Sequence, residues 1–230
     1  MQLRTLLSLF LLTTLLPIHA QESEKPANKS KKMEPIVVNL TADRWLNAPK
    51  GITFNGLRSR GFGFNMMSDK QLGSSGLSFR YGLGISSHSI DSDVDWSSLT
   101  VDSVENTSSY TFDKLPSKLE YKKNRFVTSF IEIPLEFLFR AKPEESKKSF
   151  KIGAGFTLGY LLSSHTKYKD DENKSKDYYL KDLSPFQYGA TARIGYGRTT
   201  LYGYYPLSKV FSEGVGKDIQ AFSVGLSIMY

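Results

Sequence analysis

The chain has 230 residues, 30 Lys and Arg against 23 Asp and Glu, a formal charge of +7 and a mean hydropathy of −0.32. So polar an average excludes a helical membrane protein, and the absence of Cys excludes disulfides and thiolate metal sites. The informative excess is 15 Phe, 13 Tyr and 18 Gly, because a narrow membrane barrel needs aromatic residues near strand ends and small ones on its inner face.

Residues 1–20 read as a secretory signal peptide: Arg4 in a short positive start, an apolar run over 6–16, and the small residue Ala20 before Gln21. Residues 21–35 are rich in Lys, Glu, Ser, Asn and Pro with no apolar period, which predicts a disordered periplasmic leader. Alternation begins at Ile36, where Ile36, Val38, Leu40 and Ala42 oppose Val37, Asn39, Thr41 and Asp43 in a first strand over 36–46. A loop at 47–51 leads to a second strand over 58–68, and a polar turn at 69–73 to a third over 77–86.

The period fails over 88–124, predicting a long loop flanked by extensions of the neighbouring strands. A fourth strand over 126–140 places Ile131, Ile133, Leu135, Phe137 and Phe139 on one face and Glu132, Pro134, Glu136 and Leu138 on the other. After a charged turn at 142–148 come a fifth strand over 150–162, a polar loop at 167–182, and a sixth strand over 186–196. Gly197-Arg198 turns into a seventh strand over 199–207, and a loop at 208–217 precedes the eighth, over 219–230. Phe222, Val224, Leu226, Ile228 and Tyr230 share one face of that last strand. Phe222, Ile228 and Tyr230 there resemble the assembly signal by which the barrel-assembly machinery receives outer-membrane proteins.

Eight strands of spanning length, with connections alternately longer and shorter, predict an all-β fold: an eight-stranded antiparallel up-and-down transmembrane β-barrel over 36–230. The short turns would be periplasmic, as would the N- and C-termini, which places the protein in the bacterial outer membrane.

Such a barrel encloses little more than its own side chains. The inward set contains Arg80, Glu132, Glu136, Lys151 and Arg193 on four consecutive strands, and we expect them to form a structural charge network plugging the lumen. The alternative is a narrow pore or proton path. The two histidines of the mature chain, His88 and His165, each follow a Ser-Ser pair at the outer end of an ascending strand. With Asp91 they suggest either an interfacial cap or a catalytic site at the outer rim. The acidic clusters Asp91-Asp93-Asp95 and Asp170-Asp171-Glu172 lack the Gly and closing Glu of a calcium loop, so solvated loop charge is the simpler reading. No phosphate-cradling loop, zinc motif or nucleic-acid module is present, and no cofactor is implied. The basic balance matches the anionic surface of outer-membrane lipid and lipopolysaccharide.

Ile131-Glu132-Ile133-Pro134-Leu135-Glu136-Phe137, the Gly-rich segment 150–160 running on to Ser163-Ser164-His165-Thr166, and Tyr188-Gly189-Ala190-Thr191-Ala192-Arg193 together resemble the PorT-type outer-membrane β-barrel proteins of Bacteroidetes. The resemblance spans nearly all of the chain after the leader. It implies an eight-stranded barrel without catalysis and a link to protein export across the outer membrane, with secretion-system or envelope proteins as partners.

The leading expectation is therefore a non-enzymatic structural or accessory barrel whose external loops engage a partner. The alternatives are a lipid-modifying enzyme at the outer rim and a soluble, ligand-binding barrel of lipocalin type with its large residues inside.

Overall fold

The computed structural model describes residues 34–230 except 49, 97–99, 105–106, 117–120, 179–181 and 213–217; for 100–111 it describes the backbone alone. The expected signal peptide and residues 21–33 of the leader lie outside the described residues. Eleven strands are present: β1 (Ile36–Leu46), β2 (Arg60–Gln71), β3 (Leu77–Asp91), β4 (Thr100–Val104), β5 (Thr107–Thr111), β6 (Lys123–Arg140), β7 (Phe150–Lys169), β8 (Lys174–Tyr178), β9 (Phe186–Tyr196), β10 (Thr199–Pro206) and β11 (Gln220–Met229).

Eight of them form a ring in the order β1-β2-β3-β6-β7-β9-β10-β11, each antiparallel to its neighbours. The ring closes because β11 pairs back with β1 from Val37↔Met229 to Leu46↔Gln220, so no spanning strand leaves an edge of unpaired amides toward lipid. Three connections are short: 72–76, the segment 141–149 carrying a 3-10 helix at Pro143–Lys148, and Gly197-Arg198. Gly197 takes φ +64°, a conformation that costs a residue with Cβ and that this two-residue turn needs. The four longer connections gather at the opposite end.

The strand faces follow the period of two. Leu83, Ile85, Ile131, Ile133, Leu158 and Leu226 point outward and are exposed, whereas the buried side chains are mainly polar or charged and line the lumen. This is the reverse of a soluble barrel, and it overturns the lipocalin-type alternative: an outer surface of exposed Leu, Ile and Phe is stable in hydrocarbon, not in water. Inward glycines make room for the large charges opposite. A Cβ on Gly153 would lie 2.7 Å from Glu136 Oε1 and 2.9 Å from Leu138 Cδ1.

Two boundaries differ from expectation, and one expected extension is present. The turn placed at 69–73 begins later, because β2 continues to Gln71 and sets Asp69 opposite Arg80. β3 and β6 both extend into the polar stretch between them, pairing from Ser87↔Ser129 to Asp91↔Arg125, and β4 and β5 form a hairpin within the rest. β7 runs on to Lys169 with β8 paired along its free edge, so much of the polar loop is strand. These extensions stand beyond the lipid-facing band, where hydropathy no longer has to alternate.

Candidate functional site in the lumen

The lumen is built in three layers. At the short-turn end lies a floor of charge. Arg193 Nε donates to Glu136 at 2.9 Å and its Nη1 to Ser227 Oγ at 2.8 Å, while Arg80 Nη1 approaches Glu136 at 3.9 Å from the other side. Arg80 also reaches Asp69 at 3.5 Å and donates to the Glu34 carbonyl at 2.8 Å. Arg140 binds Asp69, donates to Ser78 Oγ at 2.8 Å and sits 3.5 Å from the Glu34 carboxylate. Lys151, fully buried, donates to the other oxygen of Glu34 and to the Gly197 carbonyl. Val37, Met67, Leu138 and Met229 supply the apolar packing of this end.

The expected network is thus present with altered membership. Arg80, Glu136 and Arg193 meet directly, and Lys151 joins through Glu34. Glu132 does not take part; it accepts from Ser86 Oγ higher in the lumen. Glu34, Asp69 and Arg140 are members that the sequence reading missed. Glu34 was assigned to the leader, yet it is buried, and the Pro35 carbonyl accepts from Met67 N at 2.6 Å, so residues 34–35 belong to the barrel. For Asp69 and Arg140 the signal existed, since the inward parity of Asn65 and Glu136 carries to both.

The middle layer holds His88, whose Nδ1 lies 3.0 Å from Asp43 Oδ2, with Thr41 Oγ1 donating to the other oxygen at 2.8 Å. A carboxylate only accepts, so it fixes the proton on Nδ1 and the ring orientation. Above is a roof of aromatic rings. Trp45 lies at its centre, 5.6 to 6.4 Å from Phe54, Trp96, Phe112, Phe126 and Phe211, mostly edge to face. Ile90 and Ile219 complete the cluster. Beneath it is a small cavity with room for little more than water, lined by His88, Thr128, Leu161, Leu183 and Val210 and, on the side of the outer wall, Phe186.

The three residues of the suggested rim site do not converge. His88 points into the lumen; Asp91 is bound by Arg125 at 3.2 Å; and His165 faces outward, its ring 5.8 Å from that of Tyr178. The register shift between Ser129 and Phe130 inverts the parity of β7 beyond Leu162, which puts the two histidines on opposite sides of the wall.

The acidic clusters are likewise committed. Asp93 accepts from Thr53 N at 2.7 Å and pairs with Lys114 at 2.9 Å; burial alone would raise its carboxyl, and these donors outweigh it and hold it below the usual carboxylate range. Asp170 caps its own turn by accepting from the amides of Asn173 and Glu172, the first of which is the main cause of its lowered pKa. Asp171 binds Lys122. Among the described residues no group of three or more His, Asp or Glu is placed to hold a metal ion.

A closed antiparallel ring with a hydrocarbon-compatible exterior and an ion-paired interior defines a transmembrane β-barrel. The model of the family described as outer membrane protein beta-barrel domain matches residues 27–212, and the chain belongs to that family. No curated protein and no solved structure matches it.

Proposed function

We propose that the protein is a non-enzymatic accessory barrel of the outer membrane that presents its long-loop end outside the cell to a protein partner. The observation that carries this reading is the contrast between the two parts of the molecule. The lumen is filled by the Glu34 floor and the Trp45 roof, whereas β3, β6 and β7 rise beyond the lipid-facing band and carry β8. A filled lumen favours a scaffold over a conduit, and a raised wall offers surface for docking. Both chain ends then lie in the periplasm with the short turns. The resemblance to PorT-type proteins supports a role in protein export across the outer membrane, with secretion-system or envelope proteins as partners.

Replacing residues 97–111 by a short Gly-Ser linker, which keeps Phe112 and Lys114, tests this reading. Heat-modifiable gel mobility should be kept while co-purification with the partner and export of cargo are lost. Normal export in that variant would refute the accessory role.

A second reading, lipid modification from within the wall, is favoured by one observation: His88, a carboxylate-oriented imidazole, lines the same small cavity as Phe186, whose ring is exposed on the outer wall. An unchanged outer-membrane lipid profile in His88→Ala would reject it.

A further inference from the structure

The extensions of β6 and β7, together with β8, carry an arrangement that folding alone does not favour. Register places Lys123, Lys169 and Lys174 side by side across the three strands, and Arg125, Lys167 and Lys176 side by side in the next row. All six lie on the outward face, because Asn124, Thr128, Ser164 and Thr166 take the buried positions between them. Like charges directly opposite in a sheet destabilise it. Among the described residues only Arg125 of the six has a carboxylate partner, Asp91, while Lys176 lies over the Tyr178 ring at 4.5 Å. At Lys167 desolvation lowers the ammonium pKa most, and the nearby charges of Lys123, Lys174, Lys176 and Arg125 lower it further.

The rows have a definite height. Along the outer face of β7 the chain runs Leu158, Tyr160 and Leu162, all exposed and apolar, then His165, Lys167 and Lys169. The cations therefore stand directly above the hydrocarbon band, at the level of lipid headgroups, and their long stems can lean along the wall.

We infer that the outward face of the β6-β7-β8 extension binds the phosphorylated headgroups of lipopolysaccharide in the outer leaflet. Phosphate oxygens set between two rows of ammonium and guanidinium groups form charge-assisted hydrogen bonds and cancel the cross-strand repulsion. The inference rests on the reading that the long-loop end faces outside. Lipid is favoured over a soluble polyanion because the rows continue an apolar lipid-facing strip on the same strand.

The test uses the full mature protein in nanodiscs of zwitterionic lipid, titrated with lipopolysaccharide and with the same material after phosphatase treatment. Tight binding is expected to the first, weakening with salt, and much weaker binding to the second. The double variant Lys167→Gln with Lys176→Gln should lose roughly 25-fold in affinity, taking about fivefold per cation. Without lipopolysaccharide that variant should be at least as heat-stable as the parent, since it relieves repulsion. Equal affinity for the dephosphorylated material, equal affinity of the variant, or stronger binding of polyphosphate than of lipopolysaccharide would each overturn the inference. Because the chain has no Cys, Ser175→Cys gives a clean orientation reporter on intact cells with an impermeant maleimide. Labelling only after lysis would refute the orientation, and with it this site for outer-leaflet lipid, even if binding in nanodiscs were retained.

Discussion

Lys151 on β7 binds the carboxylate of Glu34, a residue 117 positions earlier that precedes the first strand. The contact ties the entry of the chain into the barrel to the middle of its wall. Glu34→Gln should leave Lys151 and Arg140 buried near one another without their shared counter-charge, a loss of about 3–5 kcal/mol for breaking a buried pair. The temperature at which the compact, fast-migrating gel form is lost should fall clearly. An unchanged transition would mean that Glu34 is not seated in the floor.

Glu136 stands between Arg80 and Arg193, so its neutralisation is expected to be costlier than that of either arginine. In urea titrations followed by gel mobility, Glu136→Gln should unfold well before Arg193→Gln. The reverse order would show that the arginines are satisfied by other acceptors.

Both tryptophans of the chain, Trp45 and Trp96, belong to the roof, so intrinsic fluorescence reports that layer alone. Asp93 ties two loops at the same end of the barrel through Thr53 and Lys114. Its pKa in the folded protein is lowered, so its contribution is full above the ordinary value near 4 and is lost as pH falls through the lower folded value. The emission should stay constant from neutral pH to about 4 and shift red below it. Asp93→Asn should start from the loosened state at neutral pH; a profile identical to that of the parent would refute the assignment.

The lumen is closed twice. Planar bilayers containing the protein should show no conductance steps, and Trp45→Ala should stay silent too, because the floor remains. Regular steps in Trp45→Ala would show that the charge layer does not seal.

Much of this was legible as a period of two. The inward placement of Arg80, Glu136 and Arg193 followed from the large residues on alternate positions around them, since one face of each spanning strand must meet hydrocarbon. Legibility ended where that constraint ends. Glu34 sits in a stretch with the composition of a leader, and it is its contacts with Lys151, Arg140 and Arg80 that reveal that it belongs inside. His165 parts from His88 for another reason: one extra residue at the β7 bulge reverses every later side chain, and a bulge of this kind leaves no mark in hydropathy. The partnership of His88 with Asp43 needed the β1-β2-β3 registers, which place both inside the same wall.

The seam where Ile36 and Tyr230 exchange backbone hydrogen bonds at 3.1 and 2.8 Å makes the first and last strands mutual partners. Ring closure is therefore a matter of timing. Until the ten residues of β11 pair on both sides, β1 and β10 are raw edges, and whatever escorts the chain through the envelope must shield both at once.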